Sequence, residues 1–548
     1  MRRNILAGYM VIATLMLVGC GREKAAMKAA LAEAETASST GAEPNARVMS
    51  DRVSMETPRM QVPPDEGAGP GDAGDKFDKI DENPFLRVAD SPLSTFSIDV
   101  DTASYSKVRQ YLSEHHRLPR PDAVRIEELL NYFSYAYKPP TAEESSPFAT
   151  HVAVAQCPWN NEHRLARVAL KGREMKNEVR PTSNLVFLID SSGSMKRQNK
   201  LPLLKRGLSL MLQKLGADDH VAIVAYAGSA GLVLDSTPAT ERQTILAALD
   251  RLKAGGPTNG GEGLQLAYGV ARDHFVDGGT NRVLLCTDGD FNVGMSGTDQ
   301  MINFVETESK SGIDLTVLGF GMGNLNDSML EQISGRGNGN YAFIDTISEA
   351  KKVLIDQMAG TLVTIAKDVK IQIEFNPSKV AAYRLIGYEN RVLASEDFNN
   401  DKKDAGEIGA GHSVTALYEI VPVGAALEAE LPQVDDLKYQ ETAPTSEAAN
   451  SGELFTLKLR YKFPGQDQSQ LMEFVAQDAA QSFDQTDQDF QFATAVAGFG
   501  MLLRESKHCG NWNYDTVTEI AESSIGIDKH GLRREFIQLV STANSLQN

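Results

Sequence analysis

The chain has 548 residues, 42% of them hydrophobic, which is enough for more than one packed core. Its formal net charge of -19, with no run of Lys and Arg anywhere, excludes nucleic acid and anionic lipid headgroups as main partners. Four cysteines without a C-x-x-C pair or a His/Cys cluster exclude a zinc site.

Arg2 and Arg3 precede an acid-free apolar stretch from Ile5 to Val18 that ends in Gly19-Cys20. This is the pattern of a secretory signal, and it is too short for an ordinary spanning helix. Leu17-Val18-Gly19-Cys20 resembles the bacterial lipobox. The resemblance implies that residues 1–19 are a lipoprotein signal peptide, that Cys20 is lipidated, and that the mature protein is anchored to a membrane of the cell envelope. Gly21, rather than Asp, after the Cys points to the outer membrane, facing the periplasm, if the cell is Gram-negative. From Gly21 to Lys76 there is no aromatic residue, and Ala, Glu, Gly and Pro dominate, so residues 20–82 read as a disordered tether.

Order is expected from Asn83. Ser94 to Asp101 alternates as a strand, and Thr102 to Leu112 reads as a helix capped by Asp101 or Thr102. A second helix is expected over Asp122 to Tyr132, with Val124, Leu129 and Tyr132 near one face. The phrases Pro92 to Tyr105 and Arg125 to Phe133 resemble the region ahead of the VWA domain in YfbK-like bacterial proteins. Asp99-Val100-Asp101 is also similar to the D-x-D pair of haloacid-dehalogenase-type phosphatases. Ala103 stands where that family has Thr, and no phosphate-binding Lys with an acidic pair follows in order. Strand-then-cap is therefore preferred, with an envelope hydrolase centred on Asp99 and Asp101 as the alternative function. Residues 83–147 form this N-terminal α/β region. In 148–178, Thr150 to Ala155 and Arg164 to Leu170 read as antiparallel strands with one wet face.

Asn184 to Met195 reads Asn-Leu-Val-Phe-Leu-Ile-Asp-Ser-Ser-Gly-Ser-Met. Leu185 to Ile189 is an unbroken apolar run suited to a strand buried on both faces of a parallel sheet. The turn after it aims Asp190, Ser192 and Ser194 at a common point, at the sheet edge where open α/β folds bind ligands. Thr258 follows the Gly-rich turn Gly255-Gly256-Pro257, and a second apolar strand, Arg282 to Thr287, ends in Asp288. In this order and spacing the three stretches resemble the metal-ion-dependent adhesion site of the von Willebrand factor type A (VWA) family. The resemblance implies a divalent cation, Mg²⁺ or Mn²⁺, held by Asp190, Ser192, Ser194, Thr258 and Asp288. Two carboxylates and three neutral hydroxyls leave such an ion coordinatively open, so the vacant position favours an acidic side chain of a protein partner.

Strands alternate with helices over 182–364, which predicts a doubly wound, mostly parallel VWA (Rossmann-like) sheet. A period of two returns in Val369 to Phe375, Val380 to Ile386, Val414 to Val421 and Leu454 to Tyr461, so 366–465 reads as antiparallel. Residues 466–548 are expected to be helical, with Phe492, Val496, Phe499 and Leu503 forming an apolar stripe. Two strands before the VWA unit are too few to be stable alone. They are expected to join the later ones, which gives an α/β unit inserted between segments of an antiparallel β-sandwich. Cys157, Cys286 and Cys509 permit at most one bridge, and whether Cys157 and Cys509 pair stays open. The function implied is non-enzymatic: a lipid-anchored VWA module with an adhesion, scaffold or assembly role. An assembly factor serving an ATPase outside this chain is a further alternative.

Overall fold

The computed structural model describes residues 75–141, 143–175, 180–289, 297–321, 323, 325–425 and 446–547. The expected signal peptide, Cys20 and most of the tether lie outside them. No helix of the described residues is long and apolar enough to cross a membrane.

Strands β1 (Leu86–Arg87) and β2 (Leu93–Ser97) lead into helices α1 (Ala103–Ser113) and α2 (Ile126–Asn131), then into the hairpin β3 (Phe148–Gln156) and β4 (Arg164–Gly172). Neither expected cap serves α1. Thr102 makes no capping bond, the Ser104 amide donates instead to Glu128 Oε2 at 2.7 Å, and Asp101 Oδ1 accepts the Tyr341 amide at 2.7 Å. The helix expected over Asp122 to Tyr132 is interrupted at Val124 and Arg125, whose backbone is extended. The cause lies in α1. Ser104 Oγ donates to the Ala123 carbonyl and accepts the Arg125 amide, taking backbone groups that a continuous helix would have bonded internally.

The VWA unit contains β5 (Ser183–Asp190), α3 (Leu201–Met211), β6 (His220–Tyr226), β7 (Ala230–Pro238), α4 (Arg242–Arg251), α5 (Gly260–Asp273), β8 (Thr280–Thr287), α6 (Thr298–Lys310), β9 (Ile313–Phe320), α7 (Asp327–Arg336), β10 (Tyr341–Ile344), α8 (Ile347–Lys351) and α9 (Met358–Leu362). The last two helices are joined by a π turn, so the single helix expected near Ser348 to Met358 is divided. The sheet order is β10-β9-β8-β5-β6-β7, parallel except for β7. The apolar run in β5 has a direct cause. Leu185, Phe187 and Ile189 pack into the core that includes α3, α4 and α8, while Val186 and Leu188 enter the opposite core with α5, α6 and α7. Both faces are dry, so the strand cannot alternate with polar residues.

After α9 come β11 (Thr364–Phe375), β12 (Val380–Ile386), β13 (Gly406–Gly409), β14 (Ser413–Pro422), β15 (Glu453–Lys462) and β16 (Gln470–Gln477). One antiparallel sheet runs β1-β12-β14-β4-β3 and the other β13-β11-β15-β16, with β2 also on β11. Strands from before and after the VWA unit thus share a sheet: Leu170 of β4 lies opposite Val414 of β14, and Val168 opposite Ala416. Val168, Leu170 and Tyr418 of the first sheet meet Ile371, Ile373, Leu457 and Leu459 of the second in one sandwich core. The expected wet face does not exist on β4. Leu165 and Ala169 turn outward, where α10 (Gln488–Leu503), α11 (Tyr514–Ser523) and α12 (Leu532–Gln547) cover them. The helical region also begins later than expected, because β16 extends the second sheet, with Phe474 opposite Leu457. Cys157, Cys286 and Cys509 are all free and buried.

The chain enters and leaves the VWA unit at one crossing. The Gly172 amide donates to the His412 carbonyl at 2.8 Å, and the Ala410 amide to the Val363 carbonyl at 2.9 Å. A Cβ on Gly409 would lie 1.9 Å from the Gly360 carbonyl oxygen, and one on Gly360 would lie 2.2 Å from His412 Nε2, so the crossing is this close because both are glycine. At the start of the described chain, Asp75 Oδ1 accepts the amides of Gly323 and Leu325 at 2.9 and 2.8 Å, and Lys76 bridges Asn326 in parallel. That segment is thereby bound to the connection between β9 and α7.

Candidate metal centre

Parallel pairing of β5 with β8, with Ile189 opposite Cys286, brings the ends of both strands level, so Asp190 and Asp288 leave the sheet side by side. The turn after Asp190 is folded by its own polar groups. The Ser192 amide donates to Asp190 Oδ1 at 2.8 Å, the Ser191 amide to the Tyr226 carbonyl at 2.8 Å, and the Ser192 and Ser194 hydroxyl oxygens lie 2.8 Å apart. Met195, fully buried, fixes the short 3₁₀ turn that carries Ser194. The Thr258 loop is tied to the same turn through backbone alone: the Gly255 amide donates to the Ser191 carbonyl at 2.8 Å and the Gly193 amide to the Gly256 carbonyl at 3.0 Å. Thr258 itself is half-buried two residues before α5.

Asp190, Ser192 and Asp288 are buried. Burial pushes the Asp190 carboxyl up to about 6, with the Asp288 charge adding to the rise and the Ser192 bonds opposing it. Two buried carboxylates this close favour a cation, and the structure holds one made of protein. Lys200 Nζ donates to Asp288 Oδ2 at 2.7 Å, with both side chains excluded from solvent. Lys200 lies next to α3, and nothing in the sequence patterns singled it out. Hard oxygen donors, and an Asn259 side-chain oxygen that is buried with no hydrogen-bond partner among the described residues, fit a divalent ion, which would have to share Asp288 with this ammonium.

Asp99 and Asp101 have a different environment. The Asp101 amide donates to Asp99 Oδ1 at 2.9 Å, Arg391 Nε donates to Asp99 Oδ2 at 3.1 Å, and the second Arg391 terminal nitrogen lies 3.5 Å from Asp101. Both carboxylates are buried, and burial beside Asp99 raises the Asp101 carboxyl well above its usual range. Bonded into the junction of β2, β10 and the Arg391 turn, they hold structure together and present no open face to a phosphate ester. A cavity of about 880 Å³ opens beside this junction, lined among others by Val100, Thr102, Lys352, His412, Asp489 and Arg533, and neither Asp99 and Asp101 nor any of the five candidate residues borders it.

Residues 184–357 match the family model of the von Willebrand factor type A domain, residues 72–167 a second model described as von Willebrand factor, and residues 360–546 the C-terminal region of the uncharacterized protein YfbK. The fold and the strand-end turns therefore define a VWA protein, a class of protein-interaction and adhesion module. YfbK of Escherichia coli (strain K12) is 42% identical over 484 residues, which is 87% of this chain and 82% of that protein. The chain belongs to the YfbK family. It is also 26% identical over 261 residues to inter-alpha-trypsin inhibitor heavy chain H3 of Pongo abelii, over 43% of this chain and 29% of that one. Among solved structures, a von Willebrand factor type A protein from Catenulispora acidiphila covers 72% of this chain and 91% of its own, with a TM-score of 0.40 and 15% identity.

Proposed function

We propose that the protein binds a protein partner through a divalent cation, Mg²⁺ or Mn²⁺, held by Asp190, Ser192, Ser194, Thr258 and Asp288, and that it works in the cell envelope from a lipid anchor at Cys20. The observation that carries this reading is the convergence of two buried carboxylates with the paired Ser192 and Ser194 hydroxyls at the ends of adjacent parallel strands. When bound, the ion supplies an electrophilic coordination position for an anionic oxygen. The chain's own residues do the rest. The Ser192 amide holds Asp190 Oδ1 in place, burial removes competing water from both carboxylates, and the Gly255 and Gly256 backbone keeps the Thr258 loop against the serine turn. Hydroxyls add no charge, so an acidic side chain is the ligand favoured at the open position.

The test is calorimetric titration of the folded protein with Mg²⁺ and Mn²⁺. Asp190→Ala should abolish the heat of binding while leaving the circular dichroism unchanged, because Asp190 is the last residue of β5 and its carboxylate bonds to the turn that follows, outside the two apolar cores of the sheet. An identical titration in the variant would overturn the assignment.

A further inference from the structure

We propose that Lys200 is a specificity-determining residue of this site: a protein-borne ammonium that weakens the hold on the metal and in exchange tunes the loaded site toward carboxylates. The inference rests on the metal reading above and adds to it a residue outside the five donors. Lys200 Nζ is bonded to Asp288 Oδ2 at 2.7 Å, and both side chains are almost wholly buried, at 3% and 0% exposure. A buried ammonium on a lone carboxylate would be an ordinary ion pair. Here the carboxylate belongs to a cluster that already holds Asp190 and two hydroxyls, so the ammonium shifts the balance of the whole group.

The seat for Lys200 is built into the backbone. Gly321, just past the end of β9, has a φ of +74°, and a Cβ there would lie 2.1 Å from Lys200 Cε and 2.9 Å from its Cδ. The stem passes through space that exists because this residue has no side chain. In consequence the ammonium reaches Asp288 past the end of β9, the strand that neighbours β8, with its side chain excluded from solvent.

The charge balance gives the consequence. Two carboxylates with one ammonium leave a single net negative charge, which a divalent ion turns into a single net positive charge. Without Lys200 the loaded group would be neutral. Lys200 therefore costs the site metal affinity, because it competes for Asp288 and repels the incoming ion. In the loaded state it returns that cost as attraction for an anion, whereas a neutral oxygen ligand gains nothing.

The experiment uses the whole folded protein with Mn²⁺ as the metal and acetate as the carboxylate probe. Calorimetry reads the Mn²⁺ affinity, and the paramagnetic relaxation of the acetate methyl protons reads how much carboxylate reaches the bound ion. Lys200→Met, which keeps the length of the stem without the charge, should bind Mn²⁺ at least about tenfold more tightly and should lower the acetate relaxation enhancement several-fold at equal metal occupancy. Lys200→Gln should shift both readouts in the same directions, and this second variant guards against a packing fault peculiar to Met. Equal Mn²⁺ affinity in wild type and both variants would overturn the role of Lys200 while leaving the metal site standing. Weaker Mn²⁺ binding in both variants would overturn it too, by making Lys200 a structural support. Absence of Mn²⁺ binding in wild type and variants alike would overturn the metal reading itself, and this inference with it.

Discussion

Glu127 and Glu128 sit side by side in α2, a pairing that in a sequence reads as a solvated helix face; both are buried. Burial, with the Glu389 and Asp99 charges adding to it, pushes the Glu127 carboxyl up to about 8. Burial raises Glu128 to about 7 against the opposing pull of Arg125. A carboxyl whose pKa is higher folded than unfolded stabilises the fold at low pH and loses that contribution as pH climbs from the unfolded value to the folded one. The unfolding temperature should therefore fall between about pH 5 and pH 8. Glu127→Gln, whose amide oxygen can still accept the Tyr388 amide bonded to Oε2 at 2.9 Å, should flatten that fall. Parallel melting curves at the two pH values check this, and an unchanged slope would remove Glu127 as the source. The same scale shows how far the sequence could be read. Asp190, Ser192, Ser194, Thr258 and Asp288 were legible because each lies in a short stretch whose neighbours announce a strand end or a Gly-rich turn. Lys200 was not, since its partner is 88 positions away and its seat depends on Gly321, which pattern alone marks only as a turn residue.

Elements inside the VWA unit were nearly all readable, because dry strands and one-sided helices leave different periodicities. Errors gathered where one element's partner lies far along the chain. The outer face of β4 was expected in water because the three helices that cover it come more than three hundred residues later. β16 was missed as a strand because its burial is shallow and its ladder depends on β15. The helix α10 is the largest part of that cover. Its Phe492, Val496 and Phe499 are fully buried, and the Phe499 ring lies edge-on to Phe536 at 5.3 Å and to Tyr514 at 6.0 Å. Phe499→Ala should cost about 3–5 kcal/mol in urea unfolding, the range for deleting a buried aromatic ring from a core with little room to collapse. A loss below about 1 kcal/mol would mean that the three helices are not a rigid cover of the sheet.

At the scale of the whole molecule, the modules are bound by charge as well as by apolar packing. Arg109 of α1 donates to Asp345 and Glu349 of the VWA unit, to the Tyr132 hydroxyl, and to Glu535 of the last helix. Its desolvation is offset by three carboxylates on two modules, so this one side chain ties α1 to both the VWA unit and the C-terminal helices. Under the proposed lipid anchor, export is a property of the whole chain too. Cys20→Ser should move the protein from the membrane to the soluble fraction or leave it unprocessed, and membrane-bound wild type that still carries Met1 would contradict the lipid anchor.

The attachment of Asp75 has a mechanical consequence. Any displacement of Asp75 arrives first at the two hydrogen bonds its carboxylate accepts and at the parallel bridge of Lys76, all on the connection between β9 and α7, and not at the sandwich. Gly321, which makes room for Lys200, lies on that same connection, and its carbonyl oxygen is 3.5 Å from Lys107 Nζ, itself 3.8 Å from Asp75 Oδ2. A displacement of Asp75 would thus load the wall of the Lys200 seat before it strained any core, so the hold on Asp75 and the approach of Lys200 to Asp288 share one short stretch of backbone.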